Sequence, residues 1–171
     1  RQRHHLPVRG IRQFAARVAG VDAPQSAHRI EHPVAVGIPD MNALAAQVDY
    51  LTGTGIIRNT GAAATLTLGG FNNVDMTTGS QVASTISTWS GTINSTNVNL
   101  AKVGQGTQII NTAQTTGNTL RILGGTLALD FSGASSPLTN ILPATATPVI
   151  AGGLTLTGKP STTNAQTFGN T

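Results

Sequence analysis

Three short units in this 171-residue chain repeat one design: G-A-A-A-T-L-T-L-G-G at 61–70, G-G-T-L-A-L-D-F at 124–131 and G-G-L-T-L-T-G at 152–158. In each, leucine alternates with threonine or alanine, so an extended backbone sets the leucines on one face and the hydroxyls on the other. A strand this short cannot bury its apolar face alone, whereas stacked coils bury a shared apolar column. The pattern therefore predicts an all-β chain, a β-solenoid of short strand–turn repeats with roughly 20 to 30 residues per coil and about four to six coils.

The rest of the chain after Leu51 reads the same way. Strand patterns fall at 55–59, 64–68, 82–89, 92–93, 98–103, 108–111, 119–123, 126–131, 149–151 and 154–157, none long enough for a sizeable helix. Residues 71–80 read as a polar loop, and Pro137, Pro143 and Pro148 mark a second. Leu66, Leu68, Leu127, Leu129, Leu154 and Leu156 are expected to stack inward, with Ile122 and Val103 beside them.

Residues 1–50 differ. They hold all four histidines, six of the ten basic residues and four of the six acids. Helical spacing occurs twice, at Ile11, Phe14, Ala15 and Val18 and at Met41, Leu44, Ala45 and Val48, the second preceded by Asp40 as an N-cap. Pro24, Pro33 and Pro39 interrupt any longer element. Three readings stay open for this segment: short helices on a loop-rich cap, a disordered lead-in, or a stretch foreign to the repeats. The domain division is thus an irregular N-terminal segment, 1–50, and solenoid repeats, 51–171, expected to be a piece of a longer array.

Composition narrows the function. Only 9% of residues are charged and 4% aromatic, and there is no cysteine, which removes disulfides, thiolate metal sites and cysteine nucleophiles together. The net charge of +4 does not make a phosphate track. After Leu51 only Arg58, Lys102, Arg121 and Lys159 are basic, spread thinly and without interleaved aromatics, so no nucleic-acid partner is expected. No apolar run reaches the roughly 18 residues that a membrane span needs.

K-V-G-Q-G-T at 102–107, followed by G-G-T-L-A-L at 124–129, resembles the autotransporter-associated β-strand repeat, in which a Lys-x-Gly-x-Gly-Thr turn leads to a Gly-Gly-Thr-Leu-x-Leu strand one coil on. The resemblance extends over residues 51–171. An Asn-x-Tyr-x-Gly-Gly-Thr turn common in that family is missing, and 112–118 stands in its place without a tyrosine. The resemblance implies a right-handed parallel β-helix in a secreted or cell-surface bacterial protein, a passenger or stalk rather than an enzyme.

Candidate chemistry is sparse. His28-Arg-Ile-Glu31-His32 spells H-x-x-E-H, but Pro33 opposes helical geometry at His32, and Glu31 is the only glutamate available. Asp75 and Asp130 are the only acids after Leu51, and a lyase or hydrolase would need them to converge with a base such as Lys102. Calcium would need more carboxylates than these two. Gly104 and Gly106 begin a glycine loop without a third glycine or a following helix, so they, Gly124 and Gly125 are read as corners. Lys102 and Arg121, with no acid nearby in sequence, are read as solvated. Asn94-Ser-Thr96 is an N-glycosylation sequence read as coincidental. Thr65/Thr67, Thr145/Thr147 and Thr155/Thr157 form Thr-x-Thr pairs of the kind found in ice-binding rows, without a strict period. Trp89 is expected in the core or a corner.

No catalytic, cofactor-binding or metal residue is assigned. The expectation is a structural or adhesive segment of a secreted or surface-exposed bacterial protein, its partners being cell-surface polysaccharide or neighbouring repeats of the same chain, with end-to-end self-association through open strand edges. The alternative is a carbohydrate-active β-helix that binds or cleaves polysaccharide.

Overall fold

In the computed structural model, residues 28–30, 40–69 and 86–170 are described. Among them there are twelve β-strands and no helix: β1 (His28–Ile30), β2 (Ala46–Val48), β3 (Ile56–Ile57), β4 (Ala64–Leu68), β5 (Ile86–Trp89), β6 (Thr92–Ile93), β7 (Val98–Lys102), β8 (Thr107–Ile110), β9 (Thr119–Ile122), β10 (Thr126–Asp130), β11 (Thr147–Ile150) and β12 (Gly153–Thr157). They form a six-stranded sheet in the order β1-β2-β4-β7-β9-β11, a four-stranded sheet β12-β10-β8-β5, and the pair β3-β6. Every pairing is parallel.

The chain visits these sheets in rotation. From β7 in the six-stranded sheet it turns into β8 of the four-stranded sheet, passes a bridge between Thr115 and Asn94, and returns as β9 beside β7. The next circuit runs β9, β10, then β11. Circuit lengths are uneven: register partners Ala46 and Leu66, or Leu100 and Leu120, lie close in sequence, whereas Leu66 and Leu100, or Leu120 and Pro148, are further apart.

Alternation decides which side chains face inward. One inward row of the six-stranded sheet runs Ala46, Leu66, Leu100, Leu120; in the four-stranded sheet Trp89, Ile110, Leu129 and Leu156 share a row. Leu66, Leu68, Leu127, Leu129 and Ile122 are fully buried, as the leucine pattern predicts, and so is Trp89. Two expectations need correction: Val103, the residue after β7, is out of phase with the inward Val98, Leu100 and Lys102 and is half-buried, and Leu156 is 50% exposed because β12 lies at the sheet edge and no described strand covers its inner row. Leu154 of the same strand is half-buried and packs against the core.

The helix expected over Met41–Val48 is also corrected: Asn42 and Ala43 take positive φ (46° and 66°) and Ala46–Val48 is a strand paired with β4. Positive φ in consecutive residues ends helical geometry, and the edge of β4 offers hydrogen bonds that a lone helical turn lacks. Asp40 caps a turn instead, its carboxylate accepting from Asn42 N–H (2.9 Å), Thr60 N–H (3.0 Å) and the Thr60 hydroxyl (2.6 Å). Those three bonds, the hydroxyl first, hold its pKa below the ordinary carboxylate value. The pattern at Ile11–Val18 lies outside the described residues, as do the loop at 71–80 and Asp75. The proline-marked stretch is not merely loop: Ile141 and Leu142 lie in the core with Phe131.

Candidate functional site

The corner between the two large sheets carries the most unusual ionisable group. Lys102 stands in an inward row, opposite Leu68 on one side and Ile122 on the other. Only 4% of it is exposed, so the solvated reading is wrong. Parity explains this: Val98, Leu100 and Lys102 are alternate residues of β7, and the apolar pattern fixes all three inward. Its long stem packs as an aliphatic side chain, and its Nζ donates to the carbonyls of Val103 (2.8 Å), Gly104 (3.4 Å) and Gln105 (3.4 Å). Burial pushes its pKa down, with Asp49 opposing the shift; burial pushes Asp49 up, with Lys102 opposing. An ammonium so placed is spent on the carbonyls of its own corner and is not presented to an outside ligand.

The glycines read as corners have that role. Gly104, Gly106 and Gly125 have positive φ. A side chain at Gly125 would run into the carbonyls of Gly104 and Gly106 on the neighbouring corner.

Three glutamines make contacts that sequence reasoning missed. Gln108 is 1% exposed. Its side-chain amide pairs with both backbone groups of Leu51, accepting from N–H at 2.8 Å and donating to C=O at 3.0 Å, and it also accepts from the Ser87 hydroxyl. Gln166 does the same to Leu142, at 3.0 and 2.9 Å. Gln114 accepts from Ile93 N–H and donates to Gly91 C=O. Each side-chain amide thus acts as a spare peptide group, completing the ladder where uneven circuits leave a backbone group without a strand partner. The one available signal was Gln108 itself, a polar residue at an inward position two before Ile110.

The outer face of the six-stranded sheet carries rows of mostly polar residues, interrupted by the buried Ala101 and the exposed Val149. Gln47, Thr67, Ala101, Arg121 and Val149 share one register row, and by register Arg29 continues it beside Gln47. In the next row Thr65 stands opposite Asn99, and Thr119 opposite Thr147. Arg121 and Thr119 are exposed, as expected for Arg121. The six strands contain no aspartate or glutamate.

Among the described residues the remaining candidates do not gather into a site. Asp130 ends β10 in the four-stranded sheet and accepts from Ser132 N–H at 2.8 Å, a local turn contact. Lys102 points into the core, so it does not meet Asp130 in an outer cleft. His28 sits in β1, and Glu31 and His32 lie outside the described residues. The Thr-x-Thr pairs do not form one row: Thr65 and Thr67 lie on β4, Thr155 and Thr157 on β12 of the other large sheet, and Thr145 bonds Asn118. Asn94 is exposed, on the bridge to Thr115. Among the described residues no three His, Cys, Asp or Glu gather as a metal site, and no helix is long and apolar enough to cross a membrane. No protein-family model, curated protein or solved structure matches the chain.

Proposed function

We propose that the chain forms a right-handed parallel β-solenoid serving as a structural or adhesive segment of a secreted or surface-exposed bacterial protein of the autotransporter-associated repeat kind. The observation that carries this reading is the rotation of the chain through parallel sheets with inward rows held in register, from Ala46 and Leu66 to Leu100 and Leu120. Such a stack gives length and stiffness for few residues and leaves its outer faces free for contact. Far-UV circular dichroism and small-angle scattering test the architecture: a β-dominated spectrum with an elongated profile is expected, and a helical spectrum overturns it. Fractionation of cells that express the chain tests its location, and recovery in the cytosol overturns the surface role.

A second reading, polysaccharide binding, is favoured by one observation, the threonine, asparagine and glutamine rows of the six-stranded sheet. It requires no catalytic group. Cleavage would need carboxylates converging with a base, and Lys102, the base considered for it, is spent on its own corner.

A further inference from the structure

The last circuit leaves apolar side chains at the end of the stack. Leu154 and Leu156 of β12 and Ile150 of β11 stand in inward rows, in register with Leu127, Leu129 and Ile122, and among the described residues no strand lies beyond them. Leu156 is 50% exposed and Ile150 47%. We infer that this end binds a second copy of the same chain tail to tail, β12 pairing antiparallel with its counterpart about a two-fold axis through Thr155. The contact needs only the parallel stack, not a place at the cell surface.

Hydrogen-bond parity sets the register. Gly153 N–H donates to Gly125 C=O, and Phe131 N–H donates to Thr157 C=O, so Gly153, Thr155 and Thr157 turn their backbone groups toward β10. The backbone groups of Leu154 and Leu156 therefore face the open edge. Leu-Thr-Leu reads the same in both directions, so rotation about Thr155 sets Leu154 opposite Leu156 of the second copy. Each of these two residues has its N–H and C=O free for the other, which is the hydrogen-bonded pair of an antiparallel ladder. Their side chains then cover one another on the inward face.

Exposed edges are commonly guarded by charge or proline. β12, with the sequence Gly-Leu-Thr-Leu-Thr, has neither. β11 is guarded: Thr147 and Ala151 donate to Asn118 and Ile122 on the β9 side, so Pro148 stands where a donor would face the open side. A further parallel coil would pair with both edges and find no donor at Pro148, whereas an antiparallel copy needs β12 alone. At the other end of the four-stranded sheet, Ser87 and Trp89 of β5 are buried and Gly53 bridges to Trp89, so a head-to-tail row of copies lacks a second open face. A contact of like ends closes at two.

Sedimentation of the full 171-residue chain over about 1 to 100 μM tests this. A monomer–dimer equilibrium with its midpoint in the upper part of that range is expected, because the contact is small. Leu156→Pro, which removes an edge donor as Pro148 does in β11, should weaken it at least about tenfold. Thr155→Cys reads the register whether or not the proline variant folds. The chain has no other cysteine, and Thr155 meets itself across a non-hydrogen-bonded pair with Cα atoms about 4.5 Å apart, so oxidation should give a covalent dimer. Thr88→Cys, exposed in the same outward row but on β5, should stay monomeric. A monomer throughout the range overturns the inference, as does slow amide exchange at Leu154 and Leu156 in the monomer, which would mean that the chain's own residues cover the edge. A ladder of polymers from the Thr88→Cys/Thr155→Cys double variant overturns it in favour of head-to-tail growth.

Discussion

The middle of the stack and its last circuit are built from the same sentence of sequence with opposite results. G-G-T-L-A-L places Leu127 and Leu129 in β10, both buried; G-G-L-T-L places Leu154 and Leu156 in β12, one half-buried and one half-exposed. Leu129 and Leu156 are direct register partners. Ile122 and Ile150 repeat the contrast in the six-stranded sheet, the first sealed and the second exposed. Alternation assigns a residue to a face, but burial in a stack also needs chain on either side along the axis, as a lone bridge from Gly53 supplies for Trp89 on the edge strand β5. Among the described strands β10 has β8 and β12, and β12 has only β10.

The largest test of that contrast is a pair of truncations. Leu129→Ala should cost about 2–5 kcal/mol through lost transfer energy and a cavity that cannot collapse between two covered neighbours. Leu156→Ala should cost less than about 1 kcal/mol, since much of its side chain already meets water. Denaturant unfolding reads both, and equal losses would break the comparison.

Lys102 sharpens it from within the middle of the stack. Lys102→Ala should cost about 2 kcal/mol, because the buried stem fills space between Leu68 and Ile122. Lys102→Met should match or exceed the parent in thermal midpoint. Methionine fills the row without the burial cost that lowers the lysine pKa, and water can reach the exposed carbonyls of Gly104 and Gln105. A methionine variant as unstable as the alanine variant would show that the ammonium, not the stem, holds the corner.

Next come the glutamines. Gln108→Ala should lose about 1–3 kcal/mol by leaving Leu51 N–H and C=O unpaired in the core. Gln166→Ala, making the same pair of bonds in the last circuit but half-buried, should lose under about 1 kcal/mol, because water replaces the lost amide. Unfolding of the two variants side by side measures the difference.

The smallest effect concerns Asp40, fully exposed and away from both regions. Its folded pKa is depressed below 3.8, so its contribution is present above that value and fades as pH falls through the folded value. Asp49, whose pKa is raised, has the opposite slope, its contribution being present in acid and lost as pH rises through its folded value. The difference between the parent and Asp40→Asn isolates the first: it should shrink as unfolding is followed from about pH 6 to pH 2. A constant difference would show that the Thr60 and Asn42 contacts do not depend on charge.

Much of the scaffold was legible before any coordinates. The strands at Ala64–Leu68 and Thr126–Asp130 and the glycine corners follow from a period of two and from residues that tolerate positive φ. Met41–Val48 was misread because four apolar residues fit a helical spacing as well as a turn and a strand, and only the waiting edge of β4 decided between them. The polar outer face was legible as alternation but not as rows, since placing Arg121 in line with Gln47 and Thr67 requires the register of four stacked strands.

By itself, then, the sequence determined that the chain is short strands between tight turns, with one face of each strand apolar, because alternation and glycine act within a few residues. The tertiary structure decided everything that depends on the neighbour along the axis: that Lys102 is buried and Leu156 is not, and that glutamines complete the ladders of Leu51 and Leu142. Those outcomes join residues a full circuit or more apart, and uneven circuits leave no fixed period from which they could be read.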